Sequence, residues 1–218
     1  MATTYDTSVS DVADAVSTRT TAMTVTSTGS RILLVFASSS NTGTPANTPV
    51  TSVTYASKNL IKIKTASYSS GRQLECWGII NPASGANNIV VNWTGSCDIA
   101  VAGISFHSAN ENLNDALFWA AANTDASGTS HSVSLVDPLP TGAAVVVGGY
   151  MSGSDPTVAG GGTQRQEALN AGAHYMHVAT YPGTNSSASW TSAGSAPTGM
   201  IAIRLPGAGT GKNRFNVS

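Results

Sequence analysis

Close to Arg214 the chain reads GAGTGKN, Gly207 to Asn213, glycines followed by a lysine, which are the residue types of a phosphate cradle. Such a cradle needs G-x-x-x-x-G-K-[ST]: glycine amides hold the phosphates, the lysine reaches the outer oxygens and a hydroxyl binds magnesium. Counting from Gly211 and Lys212 puts Pro206 where the first glycine belongs and Asn213 where the hydroxyl belongs, and only Arg214 to Ser218 follow to build the helix. No cofactor is expected. For nucleophilic hydrolysis the nearest stretch is GTSHS, Gly128 to Ser132. It lacks the last glycine of a G-x-S-x-G elbow and leads into a strand rather than a helix. Glycoside hydrolysis needs two placed carboxylates. The three glutamates, Glu75, Glu111 and Glu167, are scattered, and no strand carries acids at i, i+2 or i, i+4. His174 and His177 form H-x-x-H, but on a strand residues three apart point to opposite faces. His107 and His131 have no Cys or Asp at metal-ligand spacing. The expectation is a protein that is not an enzyme and has no metal site.

Aromatic rings offer a different chemistry, the stacking of sugars. Trp77, Trp93, Trp119 and Trp190 fall in strand-like runs, with Tyr55, Tyr150, Tyr175 and Tyr181 beside them. Trp119, Trp190 and Tyr181 are the candidates for a glycan platform. The simpler reading is core filling, since each ring buries about 150–250 Å². Cys76 and Cys97 lie in separate strand-like runs and are read as reduced core thiols, with a disulfide as the alternative. The sequons at Asn92, Asn185 and Asn216 matter only in a secreted eukaryotic protein.

Composition narrows the partners. Only 10% of the 218 residues are charged and the formal net charge is −1, against about 25% charged in ordinary soluble domains. Scattered basic residues do not neutralise phosphates, so neither nucleic acid nor an anionic membrane is an expected partner. No apolar run approaches the ~20 residues of a spanning helix. The opening MATTYDTSVSDVADAV has no basic or apolar region of a signal peptide, which predicts a protein used from the compartment where it is made.

The elements that must position these residues are strands. Short apolar or alternating runs recur between Gly, Asn, Pro and Ser clusters: TTAMTVTS, RILLVFA, VTSVTY, LIKIK, RQLECWGII, NIVVNWT, CDIAVAGISF and, later, AAVVVGGY, HYMHVATY, SASWTS and GMIAIRL. RILLVFA, apolar on both faces, is expected to be a central strand, and ASKN a tight turn. In GMIAIRL, Ile201, Ile203 and Leu205 share one face and Arg204 the other. About a dozen strands exceed what one open twisted sheet holds comfortably, so two packed sheets are predicted. The single helical candidate is SVSDVADAV, with Ser8 or Ser10 as its cap. It precedes the first strand and is read as part of an arm outside the sandwich.

The order of these strands and turns resembles a jelly-roll sandwich domain of bacteriophage virion proteins, which also occurs in some bacterial surface proteins. The resemblance rests on an L-x-V strand, V-T-S-V-T-Y, a turn, an aromatic-bearing strand before Asn81-Pro82, V-x-W, A-G-x-S-F and the ending ATYPGTNSSASWTSAGSAPTGMIAIRLPG, and covers Thr20 to Pro206. The family's turn after V-T-Y carries Gly or Asn, where this chain has Ala56, Ser57, Lys58 and Asn59. The fold implied is an all-β, two-sheet antiparallel sandwich (jelly roll), with an N-terminal arm over 1–19, the sandwich over 20–206 and a C-terminal tail over 207–218. The function implied is a structural virion protein without enzymatic activity. The expected form is a head decoration or cement protein on the outer capsid surface, binding the major capsid protein and neighbouring copies of itself, with a trimer as the expected homo-oligomer. The alternative is a carbohydrate- or receptor-binding module of a fibre or spike; a glycoside hydrolase comes third. On the first reading the arm and tail are tethers, with Tyr5, Val9, Val12, Arg19, Lys212, Arg214 and Phe215 as the expected interface residues.

Overall fold

The computed structural model describes residues 3–26, 29–40, 48–68, 71–107, 120–135, 144–170 and 174–206. Lys212, Arg214, Phe215, Trp119 and Glu111 lie outside them. Fifteen strands occur among the described residues: β1 (Thr4–Val25), β2 (Arg31–Ser40), β3 (Val50–Tyr55), β4 (Lys58–Asn59), β5 (Ile61–Tyr68), β6 (Arg72–Ile80), β7 (Gly85–His107), β8 (Ala120–Asp125), β9 (Ser130–Ser134), β10 (Ala144–Ser152), β11 (Pro156–Val158), β12 (Thr163–Asn170), β13 (His174–Pro182), β14 (Ser187–Ser192) and β15 (Thr198–Pro206). Every ladder between them is antiparallel.

The seven-stranded main sheet runs β4-β3-β7-β2-β6-β5, with β1 also paired to β7. Its two ends, β4 and β5, are separated in the chain by Leu60 alone, so the sheet curls back toward itself and is nearly closed into a barrel-like shape. The β1–β7 ladder breaks register midway. Val16 pairs with Cys97 and Thr18 with Asn92, so four residues of β7, Trp93 to Ser96, stand opposite Ser17 alone. At this corner β7 exchanges its second neighbour, β3 before it and β2 after it. β1 folds with it: Arg19 Nη2 lies 2.6 Å from Asp11 Oδ1, whereas eight residues of straight strand would span about 27 Å. Burial alone would raise the Asp11 carboxyl, but hydrogen bonds from Arg19 and Thr21 and the charge of Arg19 outweigh it and hold the group below its ordinary value.

The helix expected at SVSDVADAV is absent, and the segment belongs to a 22-residue strand. Its alternation decides the matter. Val9 and Ala13 pack inside the curled sheet, while Ser8, Ser10 and Val12 face the other way, toward β12 and the second core. Rather than standing outside the sheets, residues 4–25 pair with β7 along its length.

Alternation also explains the layers. In β2, Leu33, Val35 and Ala37 fill the inside of the main sheet, while Ile32, Leu34 and Phe36 face the opposite side. β2 is the central strand its sequence predicts, held between β7 and β6. Each such large side chain contributes roughly 1.5–3 kcal/mol by burial. The outward set packs on a five-stranded sheet, β12-β13-β10-β15-β8, through Val147, Met151, Met176, Val178, Ile201, Ile203 and Leu205. That sheet is apolar on its far face too: Val146, Tyr150, Ala179, Tyr181, Met200 and Ala202 pack against Val133, Ala188 and Trp190 near and within a third sheet, β11-β14-β9. A two-sheet sandwich is therefore too simple, because strands with two apolar faces need a layer on each. Cys76 and Cys97 are free and buried, on opposite sides of the main sheet.

The ASKN turn joins β3 to β4 through a two-residue loop, with Tyr55 opposite Lys58. Ala56 and Ser57 both take positive φ, 49° and 63°, the signature of a type I′ turn. An L-residue with a Cβ costs roughly 1–2 kcal/mol there. Ser57 is exposed, so Ser57→Gly relieves strain without touching the core. An upward shift of the urea midpoint worth about 1 kcal/mol is expected, with unchanged m-value. A midpoint at or below the parent value would show that the loop carries no strain.

Candidate functional site

All four expected interface residues in β1 have partners in their own chain. Tyr5 meets Phe106 edge-on and carries the Arg165 guanidinium 4.2 Å over its ring. Val9 packs into the interior core and Val12 into the core shared with the second sheet. Arg19 grips Asp11 with two hydrogen bonds, 2.8 and 2.6 Å long, and is part-exposed. Ser8 and Ser10 donate to the carbonyls of Arg165 and Glu167, and so dock one half of β1 against β12. Along β1, β7 is the only strand with which it forms a ladder among the described residues.

Two of the three residues expected for a glycan platform are buried, and the third, Trp119, lies outside the described residues. Trp190 and Tyr181 are each 1% exposed and lie edge to face in the third core, with ring centroids 6.0 Å apart. Tyr181 donates to the Ser189 carbonyl at 2.7 Å. Their ring faces are spent on packing, because the third sheet is too small to bury the far side of the second without large side chains.

Glu75 is fully buried inside the main sheet and accepts from Val50 N at 3.0 Å and Trp77 Nε1 at 3.1 Å. Lys62 reaches it at 2.7 Å and also sits 5.0 Å from the centre of the Trp77 ring. Both its oxygens are held by structural donors and the group is wholly buried, so it offers no free carboxylate to a substrate.

Sequence reasoning missed one array with chemical order. Asp125 Oδ2 lies 3.1 Å from His131 Nδ1, and His131 Nε2 lies 3.2 Å from Ser192 Oγ. Thr198 Oγ1 stands 3.4 Å from the same Nδ1. The sequence of atoms is that of an acid-histidine-serine relay, which would need the serine hydroxyl to donate to the imidazole. Here the Ser192 hydroxyl donates 2.8 Å away to the Gly194 carbonyl, and the His131 side chain is wholly buried. As placed, the array clasps β8, β9, β14 and β15 at one corner. The signal was out of reach of spacing rules: Asp125 and Thr198 are cross-strand partners, but Ser192 comes from the neighbouring sheet.

His174 and His177 do project to opposite faces of β13, as alternation requires. His174 turns to Ser38 of β2, Nε2 to Oγ 3.4 Å. His177 turns to Asp155 and Glu167, its Nε2 3.8 Å from an oxygen of each. A separate shallow recess of about 420 Å³ is lined by Ala22, Thr54, Ser57, Asn87, Asn88 and neighbours, none of them ionisable or aromatic.

These features define an all-β antiparallel protein with a nearly closed main sheet and two smaller sheets. No protein-family model matches the chain, and the searches of curated proteins and of solved structures found no match either.

Proposed function

We propose that the protein is a structural component of a bacteriophage virion, a decoration or cement protein that binds the major capsid protein on the outer surface of the head. On this reading the main sheet and the five-stranded sheet facing it derive from a jelly-roll sandwich, and the third sheet is an addition to it. The observation that carries the proposal is β1. It is a 22-residue strand with a ladder on one side only among the described residues, and a strand edge of that length is a template for pairing with another chain. In an assembly, that edge is where a neighbouring copy or a capsid subunit adds a strand, with backbone hydrogen bonds supplying affinity. A surface of low charge suits the same role, since it meets neighbours through many polar and backbone contacts. Among the described residues, the alternative, a carbohydrate- or receptor-binding module, has the amide-lined recess in its favour, while Trp190 and Tyr181 are buried.

The test uses capsids lacking the protein. Added full-length chain is expected to bind stoichiometrically and to raise the temperature at which the capsids burst. Thr20 and Thr24 are exposed on β1, and lysines on an edge strand oppose pairing. Thr20→Lys with Thr24→Lys is expected to weaken capsid binding at least about tenfold, or ~1.4 kcal/mol, without unfolding the protein. Glycan-array binding without capsid binding would replace the proposal with the alternative, and undiminished capsid binding by the double lysine variant would remove the β1 edge from it.

A further inference from the structure

Asp155, Glu167 and His177 are brought together from three places in the chain. Asp155 precedes β11, and Glu167 and His177 are cross-strand partners in β12 and β13. One ligand atom from each lies within 4.8 Å of the other two. Acidic clusters are common on surfaces and carry little meaning alone; the imidazole distinguishes this one. His177 is 1% exposed, and neither Nδ1 nor Nε2 has a hydrogen-bond partner among the described residues. Buried polar atoms are seldom left in that state without a missing ion, water or ligand. Its Nε2 stands 3.8 Å from Asp155 Oδ1 and 3.8 Å from Glu167 Oε1, too far for hydrogen bonds. Three atoms on a triangle of this size share a centre roughly 2.1–2.5 Å from each, close to the bond lengths of zinc to nitrogen and carboxylate oxygen.

We propose that Asp155, Glu167 and His177 form a binding site for a first-row transition dication of the Zn²⁺ or Mn²⁺ type. Imidazole favours such ions over Mg²⁺ and Ca²⁺, which prefer all-oxygen shells. Two carboxylates and a neutral imidazole balance the charge of a dication. Burial holds His177 below its ordinary value, and the carboxylates of Glu167 and Asp155 only partly oppose this, so the lone pair is available near neutrality. The side chains of Asp155 and Glu167 are 62% and 44% exposed, which leaves the outer face of the ion to water. Gln164 Nε2 already holds the second Glu167 oxygen at 3.0 Å, orienting the carboxylate. The ion would be structural: it would pin the segment after β10 to the β12–β13 hairpin, beside the place where β1 docks on β12.

The test is titration of the full chain, stripped with a chelator, with ZnCl₂, MnCl₂ and CaCl₂ separately, by calorimetry and by thermal unfolding. One Zn²⁺ or Mn²⁺ per chain is expected, with a raised midpoint and at least about tenfold weaker Ca²⁺ binding. His177→Gln is expected to lose at least about tenfold in affinity. Asp155→Asn changes an exposed side chain with no role in the core and should lose affinity while its metal-free midpoint stays that of the parent, which covers the case of a misfolded His177 variant. Absence of saturable binding, Ca²⁺ binding as tight as Zn²⁺, or unchanged affinity in Asp155→Asn overturns the assignment.

Discussion

Replacing Gly149 with valine is expected to destabilise the protein by about 3 kcal/mol or more, at the upper end of what overpacking costs. β10 is an inner strand of the five-stranded sheet, paired on both edges and covered on both faces. A Cβ at Gly149 would stand 2.5 Å from Phe36 Cε1. On the other face a Cβ at Gly148 would stand 2.6 Å from Trp190 Cη2 and 2.8 Å from Ala188 Cβ. The two glycines are thus the thin point of the structure, where the main sheet and the third sheet each push a ring against the backbone of the second. Phe36 has nowhere to retreat, since it is fully buried in β2 and β2 is laddered on both edges. A valine must move sheets rather than a side chain. The check is a double-mutant cycle by urea unfolding. Phe36→Ala alone leaves a cavity and should cost about 3–5 kcal/mol. Combined with Gly149→Val, the new methyls enter that cavity, and the pair should be less damaging than the two single changes added together by at least about 1 kcal/mol. Strict additivity, or a Gly149→Val cost below ~1 kcal/mol, would mean that the sheets are not in contact there.

The strands were legible where one face decided the matter and the layers where two did, but only in part. β2 declared itself because Ile32, Leu34 and Phe36 and also Leu33, Val35 and Ala37 are all apolar. The same logic applied to β10, β13 and β15 called for a third sheet: Met200 and Ala202 are as apolar as Ile201 and Ile203. Counting strands pointed to two sheets, whereas counting buried faces points to three. β1 was misread for a different reason. Val9, Val12, Ala13 and Val16 fit a helical stripe as well as they fit alternation, and a strand 60 or more residues away, β7, settled the choice by pairing with it. Sites were the least legible part. His131 gathers Asp125 across a sheet boundary, though only six residues away, and Ser192 from β14 of its own sheet, 61 residues on. Glu167 and His177 become neighbours only once the β12–β13 register is known. Trp190 and Tyr181 could face either way until the third sheet showed which side was covered.

Lowering the pH from about 6.5 toward 4 is expected to remove about 3 kcal/mol of stability through His174 alone. The residue is fully buried, its nearest polar partner being Ser38 Oγ at 3.4 Å. Burial pushes its pKa from 6.5 down to about 4, and the nearby Arg72 charge adds to this, while Asp98 and Asp14 pull weakly the other way. The unfolded chain therefore takes up a proton at a pH where the folded chain resists it. The neutral imidazole contributes its full share above about pH 6.5, and that share is lost as the pH falls through the folded value. His177 is shifted in the same direction and acts in an overlapping window. Asp11, held below its ordinary 3.8, gives way only at lower pH still, so its effect separates from theirs. His174→Gln keeps a polar group facing Ser38 without a titrating one. Unfolding free energies measured in urea between pH 7.5 and 4 should fall more steeply for the parent than for this variant, and the gap should open below pH 6.5. Parallel profiles would mean that the buried imidazole accepts its proton in place, which the Arg72 charge and the apolar core between the two sheets argue against.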